Sequence, residues 1–354
     1  MAIGFPVKAD YATGDVLTAA NMNDLSGSVN LLESAQYAAG KNKIINGDFR
    51  VWQRGTTFNS ATNGTFFADR WTVGRDGTNT VNITQQTFTP GTAPVSGYEG
   101  QFFARASIAS TGTLSFLQFT QAIEDVRTLA GQTITISFWA KGSATATGLI
   151  YIEQNFGSGG SASVETGYPT FSLTTSWTRF SVNITVPSIS GKTVGTSSLL
   201  RIFIRSGLTA NSSTFDLWGV QVEAGSVASD FQTATGTIQG ELAACQRYYY
   251  RSSSTNAYGA VSSSGYTTSA TNANILINLP VAMRVVPTSV DFSTLQIGDV
   301  TNTYYTVSGM SLNVSTTTTI AACDTTSSGM TGSRWAYLRA NNSTSGYVGL
   351  SAEL

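Results

Sequence analysis

The chain has 354 residues, 41% hydrophobic and only 11% charged, with a formal net charge of −1 and no histidine. An ordinary globular protein carries roughly 25% charged residues, and disorder couples low hydrophobicity to high net charge, so the sequence reads as folded with an uncharged Ser/Thr/Asn/Gly surface. Near-zero charge excludes nucleic-acid binding through clustered Lys and Arg, and the missing histidine excludes a Ser-His-Asp triad, a Cys-His pair and a His-rich zinc site.

In chain order, Gly4 to Gly14 reads as an irregular arm broken by Pro6 and Gly14. Its start lacks the basic-then-apolar shape of a secretion signal, and no apolar run reaches the roughly 20 residues of a membrane span. The expectation is a chain made in the cytoplasm, without membrane insertion. Thr18 can cap a helix on which Met22, Leu25, Val29 and Leu32 recur at a/d spacing. That helix is short and needs a partner, either its own domain or two further copies in a trimer seam.

After Gly40 the texture changes to strands. Thr133 to Ala140, Thr178 to Val186, Leu199 to Ile204 and Phe215 to Val222 alternate in the manner of strands with one buried face. Several short strands over this region imply a sandwich or jelly roll. Gly225 to Ile238 reads as a linker, and Gly240 to Tyr250 opens a further unit. Ile275 to Pro280 reads as a strand, as do Trp335 to Arg339 and Tyr347 to Leu350, in a smaller closing sandwich. The fold class is mainly β: a helical anchor over residues 1–40, a jelly roll over 41–235 and a second sandwich over 236–354.

No spacing singles out a catalytic pair. Glu99, Glu124, Asp125, Glu153, Glu165 and Glu223 are the central acids besides Asp48, Asp69, Asp76 and Asp216. Gly157 to Gly160 lacks the Lys-Ser/Thr ending of a phosphate loop and reads as a hairpin tip. Cys245 and Cys323 follow no CxxC spacing and read as buried thiols rather than a disulfide. Trp139 and Trp218 read as core, and Trp52 and Trp71 as framework. Tyr248, Tyr249 and Tyr250 cannot all face one core from a regular strand, so they read as an interdomain or interchain contact. Tyr258, Tyr266, Tyr304, Tyr305 and Tyr347 sit among Ser, Thr, Asn and Gly. Tyrosine in such a context makes an adaptable binding surface, and these five are the candidate glycan-binding residues.

Asn46-Gly47-Asp48-Phe49, Trp52-Gln53-Arg54-Gly55, Ala68-Asp69-Arg70-Trp71, Ser137 to Gly142, Trp218 to Ser226 and Glu241 to Tyr250 occur in one order. That series resembles phage and prophage fibre proteins whose central domain is similar to jelly-roll carbohydrate-binding modules. Thr13 to Asn23 looks like the virion-anchoring start of tail fibres, and Gly346 to Leu354 resembles fibre ends. The resemblance implies a non-enzymatic tail fibre located in the virion. It would be a homotrimer, anchored through its N-terminus to other virion proteins and binding host surface polysaccharide through its distal β domains. The alternative is a head fibre, capsid decoration or baseplate-associated protein without a receptor role. No cofactor is required. Some of the related modules hold a structural calcium, for which Asp48 and Asp216 are the nearest carboxylates here; calcium takes six to eight oxygens.

Overall fold

The computed structural model describes residues 40–95, 98–109 and 112–354. The arm, the helix expected from Thr18 and the seam of Met22, Leu25, Val29 and Leu32 lie outside the described residues.

The first eleven strands are β1 (Thr57–Phe58), β2 (Trp71–Gly77), β3 (Val81–Thr87), β4 (Phe102–Ile108), β5 (Leu114–Glu124), β6 (Thr133–Gly142), β7 (Ala146–Asn155), β8 (Val164–Leu173), β9 (Thr178–Thr185), β10 (Leu199–Arg205) and β11 (Thr214–Ala224). They form a six-stranded sheet in the order β1-β3-β4-β11-β6-β9 and a five-stranded sheet in the order β2-β5-β10-β7-β8. All neighbours are antiparallel. The two sheets enclose one core, giving a jelly-roll β-sandwich. Strand alternation fills that core: β6 supplies Ile134, Ile136, Phe138 and Ala140, and β10 supplies Leu200, Ile202 and Ile204. Each large apolar side chain removed from water contributes about 1.5–3 kcal/mol.

Strand β11 departs from simple alternation. Its register on β6 shifts between Trp218 and Gln221. Gly219 sits in the bulge at φ +64°, with a hypothetical Cβ 2.7 Å from the Trp139 ring. The bulge returns Val220 and Val222 to the core beside Phe215 and Leu217 and leaves Trp218 on the opposite face. Trp139 and Trp218 are therefore buried, but outside the sandwich core. They pack with Phe88, Phe103 and Phe231 in a separate cluster over the six-stranded sheet.

The opening motif is framework. Asn46, at φ +58°, donates through Nδ2 to the carbonyls of Val51 (2.8 Å) and Asp69 (3.1 Å), and its Oδ1 accepts from the Val51 amide at 2.9 Å. Trp71 is fully buried and donates from Nε1 to the Asn46 carbonyl at 3.0 Å.

The single helix among the described residues, α1 (Ile238–Gln246), lies where the sequence reading put the end of a linker and the start of a further unit. Thr237 caps it by accepting from the Gly240 amide at 3.0 Å. Glu241 is buried and accepts from the amides of Asn46 (2.7 Å) and Thr235 (2.8 Å), tying the helix to the central sandwich. No helix among the described residues is long and apolar enough to cross a membrane.

Eleven further strands follow: β12 (Tyr249–Ser253), β13 (Ala260–Ser262), β14 (Ser264–Thr267), β15 (Asn272–Asn278), β16 (Ser289–Ser293), β17 (Leu295–Asp299), β18 (Tyr304–Thr306), β19 (Gly309–Leu312), β20 (Ile320–Thr326), β21 (Ala336–Ala340) and β22 (Tyr347–Ser351). They make sheets β12-β22-β16, β13-β21-β17-β18 and β14-β15-β20-β19 around a second core that includes Ile275, Ile297, Leu338 and Leu350. Cys245 and Cys323 are free and buried.

Tyr248 and Tyr249 lie between the two sandwiches. The Arg70 guanidinium stacks 3.5 Å over the Tyr248 ring, and Arg54 stacks 3.5 Å over Tyr249. Tyr248 donates to Glu124 at 3.0 Å, and Arg247 pairs with the same carboxylate at 3.2 Å. Glu353 from the end of the second sandwich pairs with Arg54 at 3.3 Å and with the buried Arg70. Tyr250 turns toward the second core.

Candidate functional site

The outward face of the five-stranded sheet brings stacked aromatic rings and polar side chains together. Side chains at alternate positions share a face, so Arg201, Phe203 and Arg205 of β10 point away from the core that Leu200, Ile202 and Ile204 fill. Register then sets their neighbours: Phe203 lies between Thr120 of β5 and Tyr151 of β7, and Arg205 lies beside Gln118. The Tyr151 and Phe203 rings stack at 4.2 Å and 4°. Tyr168 of β8 continues the stack at 5.5 Å and 15° from Tyr151.

Tyr168 is placed there by backbone irregularity. The pairing of β7 with β8 shifts between Leu149 and Tyr151, and Tyr168 holds φ +86°. A non-glycine residue in that region costs roughly 1–3 kcal/mol and persists where its surroundings hold it; bulges of this kind re-aim side chains beside functional surfaces. The ring is 47% exposed, and its hydroxyl donates to Glu165 at 2.9 Å.

Polar groups converge on the stack. Gln118 Oε1 accepts from Tyr151 Oη at 3.3 Å and from Arg205 Nε at 3.2 Å. The Arg205 guanidinium lies 4.6 Å over Phe116 and 5.5 Å from Tyr151. A cleft of about 390 Å³ opens on this face, with Phe116, Gln118, Thr120, Arg201 and Phe203 among its lining residues. Flat rings offer their negative faces to the C–H surface of a sugar ring, while amide, guanidinium and hydroxyl groups match its hydroxyls. Glu153 and Glu165 face each other across β7 and β8 at the rim. Arg201 pairs with Glu153 at 2.8 Å, and Tyr168 binds Glu165, so both carboxylates have structural partners.

A larger hollow of about 700 Å³ lies elsewhere, lined by Asp48, Arg50, Tyr98, Phe231 and Glu241 among others. Burial pushes the Asp48 and Glu241 carboxyls above their ordinary values. Glu241 is committed to backbone amides, and Asp48 accepts from Tyr98 at 3.1 Å and pairs with Arg50 at 3.4 Å.

The calcium pair does not fit. Arg105 holds both Asp216 oxygens at 2.7 Å, and Lys141 lies 3.7 Å away. Gly47, next to Asp48, bonds to Val220, four residues along β11 from Asp216. Asp48 thus joins β11 beyond the bulge from Asp216, and each carboxylate is engaged by its own arginine, Arg50 for Asp48 and Arg105 for Asp216. Among the described residues no group of three or more His, Cys, Asp or Glu side chains could hold a metal.

The five candidate tyrosines divide. Tyr258 (52% exposed), Tyr266 (53%) and Tyr304 (40%) belong to one exposed region of the second sandwich. Tyr305 packs on the second core and donates to Asp299 at 3.3 Å. Tyr347 lies on β22 of a different sheet, with the Arg251 guanidinium 3.3 Å over its ring. The stack of Tyr151, Phe203 and Tyr168 was missed because Leu199 to Ile204 was read for its buried face alone. The signal was present: Arg201 and Arg205 flank Phe203 at two-residue spacing and mark the outward face.

No family model matches this chain, and no curated protein matches it. Solved structures similar to parts of it include a carbohydrate-binding module described as CBM4, at 23% identity over 51% of this chain and 98% of that one, TM-score 0.30. The CBM22-2 xylan-binding domain from Paenibacillus barcinonensis is 20% identical over 48% and 99%, TM-score 0.28. Tailspike protein 4 of bacteriophage CBA120 is 19% identical over 47% of this chain and 21% of that one, TM-score 0.31. All three lie below 25% identity and below a TM-score of 0.5, so the sandwich assignment rests on its own strand order and core.

Proposed function

We propose that this chain is a non-catalytic polysaccharide-binding fibre of a phage particle. The outward face of the five-stranded sheet is its glycan site. The observation that carries this reading is the Tyr168–Tyr151–Phe203 stack running beside the Gln118–Arg205 pair. The buried Tyr151 and Phe203 rings back the 47% exposed Tyr168 ring, so one open aromatic face stands beside fixed hydrogen-bonding groups on a rigid sheet, the combination a sugar chain requires. The motif series from Asn46 to Tyr250 supports the fibre assignment, and the a/d seam of Met22, Leu25, Val29 and Leu32 supports a homotrimer. Three copies presenting weak sites together gain avidity.

The binding claim is tested by co-sedimentation of the purified chain with an uncharged cell-envelope polysaccharide. Wild type is expected in the pellet and Tyr168→Ala/Arg205→Gln in the supernatant; equal retention of both would overturn the site. Reducing ends appearing in the same tubes would contradict the non-catalytic reading. The fibre claim is tested separately. Deleting residues 1–40 should abolish incorporation into particles while the β signal persists, and a monomer mass at micromolar concentration would contradict the trimer.

A further inference from the structure

The second sandwich carries its own exposed aromatic face. On β21 the buried residues Ala336, Leu338 and Ala340 face the core, which leaves Tyr337 and Arg339 on the outer side. Trp335 precedes the strand, is 51% exposed and stacks on Tyr337 at 5.4 Å and 29°. Tyr266 is its antiparallel bridge partner, so its side chain shares the same face. Tyr337 lies flat on β17: a Cβ added to Gly298 would fall 2.6 Å from its ring. Gly298 also pairs with Tyr304, which brings that ring to the other side. The Arg339 guanidinium lies 3.5 Å over Tyr304 and 5.0 Å from Tyr258.

The charge on this face is unbalanced. Arg334 is paired with Asp299 at 3.0 Å. Among the described residues Arg339 has no carboxylate within ion-pair distance, and its buried Nε makes no hydrogen bond. A guanidinium stacked on a ring keeps its in-plane N–H groups at the edge, in the fork that matches a carboxylate. The rim carries Ser264 and Thr306, both exposed hydroxyls. From Trp335 to Arg339 the strand spans about 13 Å at about 3.3 Å per residue, room for a short run of sugar rings.

We infer that this face binds an acidic oligosaccharide, its sugar rings stacked along Trp335 and Tyr337 and its carboxylate held by Arg339. The positive charge left without an acid selects an anionic ligand over a neutral one, and the exposed rings select a sugar. The inference has its own residues and does not depend on the central cleft.

The test is calorimetric titration of the full chain in the Tyr168→Ala/Arg205→Gln background, which removes the exposed ring and the guanidinium of the central stack. The probes are oligomers of galacturonate, glucuronate and sialic acid, with galacto-oligosaccharide as the neutral counterpart. At least one acidic oligomer is expected to bind saturably, at least tenfold more tightly than the neutral one. Arg339→Gln should weaken that binding tenfold or more and Trp335→Ala should abolish it, each with an unchanged melting temperature. Arg127→Gln, which removes a surface charge elsewhere, should leave it unchanged. Binding of none of the acidic probes, equal binding of the neutral oligomer, or indifference to Arg339→Gln would overturn the inference. So would a mass change on Trp335→Ala, which would assign the face to contacts between copies. If either variant melts early, Arg339→Lys supplies the test: it keeps the charge but loses the planar fork, and an unweakened affinity counts against the inference.

Discussion

The two outer faces of the central sandwich start from similar aromatic content and end differently. Over the six-stranded sheet, Trp139, Trp218, Phe88, Phe103 and Phe231 close into a buried cluster. Trp218 meets Trp139 at 5.4 Å and Phe231 at 5.0 Å. Its indole Nε1 is left without a partner. Over the five-stranded sheet, Tyr151 and Phe203 are buried too, but Phe203 lines a cleft and Tyr168 at the end of the stack stays 47% exposed, with Arg205 and Gln118 beside them. Aromatic mass alone therefore does not mark a binding face. On the proposed reading, the sealed cluster serves stability and the stack furnished with matched polar groups serves recognition.

This contrast predicts opposite signatures. Trp218→Ala should cost about 3–5 kcal/mol of unfolding free energy, the range for truncating a buried aromatic, while polysaccharide affinity measured on the surviving folded fraction is retained. A loss under 1 kcal/mol by denaturant titration would mean that the cluster is not the stabilising face.

The interface between the sandwiches predicts a pH dependence. Burial, opposed by the hydrogen bond from Gln53 and the charge of Arg54, raises the Asp69 carboxyl to about 6. The unfolded value is about 3.9. Between these values the folded chain keeps a proton that the unfolded chain has released, so stability falls as pH rises from about 4 to 6 and levels off above. The amplitude is about 3 kcal/mol at most. Burial raises Asp48 and Glu241 as well, adding slope of the same sign. Asp299 is held low by Thr301 and Arg334 against its burial, so its contribution is lost only as pH falls below about 4. Asp69→Asn should flatten the slope between pH 4 and 6, and an unchanged slope would contradict the assignment.

The smallest effect separates stability from binding at one residue. Tyr168→Gly relieves the φ of +86° and should raise stability by about 0.5–1 kcal/mol after the entropy cost of glycine. The same change should weaken polysaccharide binding. A loss of stability would show that the ring, not the backbone, dominates there.

Much of the fold was legible. Thr133 to Ala140 alternates in sequence, and Ile134, Ile136, Phe138 and Ala140 do fill the core, although Thr135, Ser137 and Trp139 on the other face are buried as well; Asn272–Asn278 ends just before Pro280, as its composition implied. The reading failed where a bulge changes the period. Phe215 to Val222 looked like one alternating run, yet Gly219 switches the faces midway, and no pattern of period two reveals that. Helix α1 was missed because its apolar residues form no buried stripe (Ile238 and Leu242 are exposed) and Glu241 ties it to the central sandwich by reaching back to Asn46. At the site, polar context identified Tyr258, Tyr266 and Tyr304 as exposed, but the same context surrounds Tyr305, which register turns toward the core. Which tyrosines meet is set by the pairing of β17 with β18 and β21, not by local sequence.

The central claim is that the five-stranded face binds polysaccharide without cleaving it. A glycan array probed with the full chain and with Tyr168→Ala/Arg205→Gln tests it most directly, with Arg339→Gln present in both so that the second sandwich does not contribute. The account predicts saturable binding by the former that is lost in the latter, with both proteins melting at the same temperature. Equal binding by both, or binding by neither, would contradict it.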